Sequence, residues 1–157
     1  MKIITAKIEH LNMIQKLSKK LILDDYNNYD KSIDVDRSHS EKWTVFFKEW
    51  IEDHKNIIYL AMDGEKAVWY IYWGIHLSSS WRTWWTHIAK LYNFFVDEDY
   101  RSHWLGSQLY AKFKKWSTNQ QVEAISVVAS ATNEQVIKLY KKYWFKEYTL
   151  TLEYPLK

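Results

Sequence analysis

"VDEDYRSHWLGSQLYAKF", residues 96–113, is the stretch on which the fold turns. A β-branched and aromatic run ends at Val96 and a turn follows. From Trp104 or Leu105 onward, Leu105, Leu109, Phe113 and Trp116 share one helical face, with Lys112, Lys114 and Lys115 mostly turned away. A turn leading into a helix N-terminus presents successive backbone N–H groups, the arrangement that holds anions, and Gly106 allows phosphates close to the main chain. Such loops are common, so the segment takes its meaning from the elements around it.

Toward the N-terminus, "HIAKLYNFFV" (87–96) reads as a strand and "SSSWRTWWT" (78–86) as a loop. "IIYLAMDGEKAVWYIYWGI" (57–75) is two β-rich runs joined at Asp63-Gly64, a strong hairpin signal. Ser38 and Glu41 have capping-box spacing ahead of Trp43, Phe46, Phe47, Trp50 and Ile51, which predicts a helix. Before it, "DDYNNYDKSIDVD" (24–36) is polar and unpatterned. "KIITAK" (2–7) reads as a strand, and Leu11, Ile14, Leu17 and Leu21 follow at helical spacing.

Toward the C-terminus, "VEAISVVASA" (122–131) has a buried-strand pattern. Asn133 is placed to cap a helix whose inner stripe is Val136, Ile137, Tyr140 and Tyr143. "EYTLTLEYP" (147–155) alternates strictly and predicts a half-exposed strand closed by Pro155. The predicted order is β α α β β β α β α β. That is one mixed α/β (α+β) domain over residues 1–157, with three layers and a central mixed sheet of six or seven strands flanked by four helices.

Composition narrows the function. The chain has 157 residues, no cysteine and a formal net charge of +3. The lack of cysteine removes disulfides, thiolate metal sites and cysteine nucleophiles, and fits a cytoplasmic setting. The charge is small for a nucleic-acid binder, and no apolar run is long enough to suggest a membrane partner. His76, His87 and His103 lack metal-ligand spacing, so no metal site is expected. The 3 glycines and 10 tryptophans are unusual, since a chain of this length would carry roughly 11 glycines at average usage.

Two separated motifs carry a resemblance. Val96, Arg101, Trp104 and Gly106 match "V-x-x-x-x-R-x-x-[G]-x-G", and Asn133, Tyr140, Trp144 and Phe145 match "N-x-x-x-x-x-x-Y-x-x-x-[G]-F". With the element order from residue 2 to 154, they make the chain similar to the GNAT superfamily of acyl-CoA-dependent N-acetyltransferases. The resemblance implies direct transfer of an acetyl group from acetyl-CoA to the primary amine of a small molecule or peptide, and it leaves room for a homodimer. It implies that the backbone at Phe95 and Val96 pairs with the pantetheine arm. Arg101, Ser102, His103, Trp104, Leu105, Gly106 and Ser107 would hold the pyrophosphate. Asn133 would contact the pantetheine side, and Tyr140 would act as the acid at the leaving thiolate.

The departures are equally specific. Trp69, Trp104 and Trp144 stand at positions that resemble glycine positions of the family, the pattern that a glycine codon read as tryptophan would leave. Trp104 at the phosphate loop motivates an alternative, a GNAT-fold protein with an impaired cofactor site and a binding or structural role. Many relatives carry a glutamate where this chain has Tyr92 and a carboxylate where it has Asn93, so no ordinary general base stands there. A water-relayed base and His87 are the candidates. The acidic positions Asp24, Asp25, Asp30, Asp34 and Asp36 are read first as a solvated loop and second as an attraction for a cationic amine.

Overall fold

The alternation of the strands and the stripes of the helices build one five-stranded sheet with helices on both faces. The structure, a computed structural model, describes residues 1–78, 86–101, 105–154 and 156. In chain order the elements are β1 (Lys2–Thr5), α1 (Leu11–Asn28), α2 (Glu41–Glu52), β2 (Asn56–Asp63), β3 (Lys66–Ser78), β4 (Thr86–Val96), α3 (Leu105–Asn119), β5 (Ala124–Val127) and α4 (Glu134–Lys142). The sheet order is β1-β2-β3-β4-β5, antiparallel except for the parallel β4–β5 pair.

Period-two alternation sends neighbouring residues of β3 to opposite faces. Tyr70 and Tyr72 go to one side, where they pack with Ile14 and Leu17 of α1, Phe47 of α2 and Phe95 of β4. Trp69, Ile71 and Trp73 go to the other, against Leu109 and Phe113 of α3. The β2–β3 hairpin turns through Gly64 and Glu65, and Gly64 takes φ +58°, a conformation glycine adopts without steric cost. Gly74 is required by close approach: a Cβ there would collide with Asn56 Oδ1 and meet the Trp50 ring at 2.9 Å.

Four expectations are corrected. The sheet has five strands, because residues 145–154 form no strand and expose Tyr148, Leu150, Leu152 and Tyr154. α1 runs on to Asn28, through the start of the polar stretch, with Ile22 buried beyond Leu21 and Asn28 Nδ2 donating back to Asp24 O at 2.9 Å. Ser40, not Ser38, caps α2: its hydroxyl accepts from Trp43 N–H at 3.4 Å, while Ser38 is buried in a preceding 3₁₀ turn. β5 is confined to Ala124–Val127, shorter than the apolar run around it. Among the described residues no helix is long and apolar enough to cross a membrane.

Candidate active site: an opened strand edge beside a helix start

The decisive feature lies in β4. Tyr72 faces Asn93 and Trp73 faces Leu91, leaving Tyr92 as an extra residue, a β-bulge. A bulge bends its strand and raises its twist. Pairing with β5 ends at this point, at Leu91 opposite Val127, while β4 runs on to Val96 alongside β3 alone. From residue 92 onward, one edge of β4 is therefore open.

Which backbone groups face the opening follows from the antiparallel pattern. Asp97 N–H donates to Val68 O at 3.0 Å, so Asp97 and Val68 are a hydrogen-bonded pair. Alternation makes Phe95 with Tyr70 the next such pair, and it turns the N–H and C=O of Phe94 and Val96 outward. Val96 thus offers its backbone to the open side, as the resemblance implies. Phe95 does not: its backbone is directed at β3 and its ring is buried in the α1–α2 core. Phe94, which sequence reasoning passed over, directs its backbone to the open side instead, and only the phase set by the β3 pairing reveals it.

A 3₁₀ turn at Glu98–Tyr100 follows β4, and α3 begins at Leu105. Leu105 and Gly106 form its first turn and Ser107 lies exposed just inside it. Ser102, His103 and Trp104 lie outside the described residues. Arg101 is placed beside the opening: its Nε donates to Val96 O at 3.4 Å and its Nη2 lies 3.5 Å from Asp24 Oδ2.

α4 borders the same face. Asn133 is its N-cap, with the side chain accepting from Val136 N–H at 3.1 Å. Tyr140 packs in the same apolar cluster as Val96, Val127 and Ile125, so the tyrosine and the strand end lie on one side of the sheet. Burial pushes the Tyr140 hydroxyl up to about 12, which keeps it protonated at neutral pH. The end of α4 holds its ring. Phe145 N–H donates to Tyr140 O at 3.2 Å and Trp144 N–H to Lys141 O at 3.0 Å, the paired bonds of a Schellman motif. The Phe145 ring packs against Tyr140 at 5.4 Å. Trp144 sits at the left-handed position of that motif with φ +70° and is 89% exposed. Glycine is the usual residue there, as the motif comparison anticipated.

The candidate bases fare differently. His87 pairs with Leu77 at the far end of β4, roughly 30 Å from Val96 at the rise of an extended strand, and is removed from the site. Asn93 Nδ2 donates to Tyr70 OH at 2.7 Å. Burial raises the Tyr92 hydroxyl above its ordinary value, so it does not serve as a base at neutral pH.

This mixed α/β domain, with a strand edge opened at a bulge, has the fold of the GNAT acetyltransferases. The sequence profile of the Acetyltransferase (GNAT) family matches residues 20–144, and the chain belongs to that family. Solved structures of similar fold include the tetramutant of the BH1408 protein from Bacillus halodurans, with TM-score 0.86 and 16% identity over 99% of this chain and 100% of that one. A putative acetyl transferase from Pyrococcus furiosus aligns with TM-score 0.77 and 18% identity over 99% of each chain. Aminoglycoside N-acetyltransferase AAC(6')-Iy in complex with CoA aligns with TM-score 0.76 and 18% identity over 98% of this chain and 93% of that one. No curated protein sequence matches the chain.

Proposed function

We propose that the protein is an acetyl-CoA-dependent N-acetyltransferase that moves the acetyl group directly to a primary amine. The observation that carries this reading is the opened β4 edge, with the N–H and C=O of Phe94 and Val96 turned outward, ahead of α3 in the chain. An extended amide-bearing arm fits such an edge as an added strand, and a pyrophosphate fits the helix start. Acetyl-CoA would supply the acetyl group as an activated thioester.

The chain's own residues do the rest. Outward main-chain N–H groups at the end of β4 stabilise negative charge developing on a carbonyl oxygen, a preorganised donor contribution. Tyr140, protonated at working pH, donates its hydroxyl proton to the departing sulfur. With no carboxylate at positions 92 and 93, the proton of the attacking amine leaves through water, and most of the acceleration comes from holding the two reactants together. The acceptor is a small-molecule or peptide amine. Aminoglycosides belong in the test panel beside polyamines and peptide amines, because one fold neighbour acts on them.

The test is release of free CoA thiol in the presence of acetyl-CoA and each amine. The expected result is amine-dependent thiol release together with acetylated amine in the mass spectrum. Thiol release that is the same without any amine counts against the reading.

A further inference from the structure

Two ion pairs join α1 to the segment that enters the cofactor loop, and they are reciprocal. Lys20 and Asp24, one helical turn apart on the same face of α1, meet Asp97 and Arg101, which bracket the 3₁₀ turn after β4. The helix supplies a cation and an anion, and the loop supplies the complementary anion and cation.

The pairs differ in kind. Asp97 is 8% exposed; Lys20 Nζ reaches its Oδ2 at 2.6 Å, and its Oδ1 accepts Glu98 N–H at 3.0 Å. This pair is an anchor. Asp24 and Arg101 are 30% and 46% exposed at 3.5 Å, a looser contact that exchanges readily with other partners. Asp24 is held in orientation by Asn28, whose Nδ2 donates to Asp24 Oδ1 at 2.9 Å.

The position of Arg101 conflicts with the ligand the site is built for. Its Nε donates to the outward carbonyl of Val96, one of the groups that an added strand would use, and its Nη2 is turned toward Asp24. We infer that Arg101 is a plug on the open end of β4, held in place by Asp24, and that binding of an acyl-CoA requires Arg101 to leave both partners. Asp24 is thus a positioning residue that acts through Arg101. The inference rests on the acyl-CoA reading. In the closed position, Arg101 satisfies a carbonyl that lacks a strand partner. In the open position, its guanidinium is free to pair with a phosphate.

The plug makes opposite demands on two ligands. Titrate acetyl-CoA and acetyl-pantetheine, which lacks the phosphates, into the wild-type chain, Asp24→Asn, Arg101→Gln and the double variant, checking each for a cooperative melt. Asp24→Asn keeps an acceptor for Asn28 and should bind acetyl-CoA about two- to three-fold more tightly, as expected for release of an exposed pair. Arg101→Gln should weaken acetyl-CoA but tighten acetyl-pantetheine, because it removes a phosphate partner and a plug together. In the Arg101→Gln background, Asp24→Asn should change nothing.

An equal gain from Asp24→Asn in both backgrounds would assign the effect to long-range charge and overturn the inference. So would Arg101→Gln weakening both ligands, or Asp24→Asn leaving acetyl-CoA affinity unchanged. Failure of every variant to bind acetyl-CoA contradicts the acyl-CoA reading itself and takes the inference with it. Binding by the wild type with the wrong pattern overturns the inference alone.

Discussion

The two faces of the sheet are finished to different degrees. On the α1–α2 face, Tyr70, Tyr72 and Tyr92 stack in series, Phe46, Phe47 and Trp50 close over them edge-on, and the Tyr70 hydroxyl has a side-chain partner. On the α3–α4 face the indole nitrogens of Trp69 and Trp73 are buried without a hydrogen-bond partner among the described residues. α4 buries no residue fully, and Trp144 holds a left-handed backbone. Each unpartnered buried N–H costs about 1–3 kcal/mol. Trp50 Nε1 on the α1–α2 face is buried without a partner as well, so what sets the faces apart is the open strand edge and the left-handed Trp144 of the second. This division suits a protein whose second face is completed by a ligand.

The largest effect should come from breaking the α1–α2 face. Phe47→Ala removes a fully buried ring and should cost about 3–5 kcal/mol in a denaturant titration. Acetyl-CoA affinity of the folded fraction should stay within about two-fold, since the ring lies across the sheet from the site. A large loss of affinity would show that the faces are not separable. Tyr140→Phe is the counterpart on the open face. It should lower kcat about 100-fold, with a much smaller change in acetyl-CoA affinity, because the hydroxyl matters chiefly as the thiolate forms. An unchanged kcat would take the acid role away from Tyr140.

Trp144→Gly should stabilise the chain by about 1 kcal/mol, read from the denaturation midpoint, by relieving the side-chain clash of a left-handed residue. A loss of stability would show that the exposed indole makes compensating contacts. The smallest effect concerns Asp97. Desolvation alone would raise its carboxyl, but the hydrogen bond and charge of Lys20, the charge of Lys66 and the Glu98 N–H together hold it below the usual carboxylate range. Its stabilisation is therefore present above the unfolded value near 4 and fades as pH falls through the lower folded value. Asp97→Asn should flatten that acid limb. An identical pH profile in the variant would remove the ion pair from the ledger of stability.

How much of this was legible in the sequence depended on the range of the interaction involved. The start of α3 at Leu105 and the cap at Asn133 are local, carried by residues a few positions apart, and both were readable. The bulge at Tyr92 was not: nothing in "KLYNFF" distinguishes a bulged strand from a regular one, because the extra residue exists only relative to Trp73 and Tyr72 on β3. The same pairing set the phase that exchanged Phe94 for Phe95. The tail shows the opposite limit. Strict alternation in "EYTLTLEYP" reports which residues would share a face but names no strand to pair with, and residues 145–154 form no strand. α1 runs into the polar stretch, where Asn28 Nδ2 donates to Asp24 O, a bond that composition alone does not reveal.

The proposed acyl-CoA site is the open edge of β4, ahead of α3 in the chain. Backbone amide shifts of the ¹⁵N-labelled protein, recorded as acetyl-CoA is added, test it most directly. The largest changes should fall at Phe94, Val96, Arg101 and Ser107, with small changes at Ile14, Phe47 and Leu60. Changes concentrated on the α1–α2 face, or none at saturating acetyl-CoA, would contradict it.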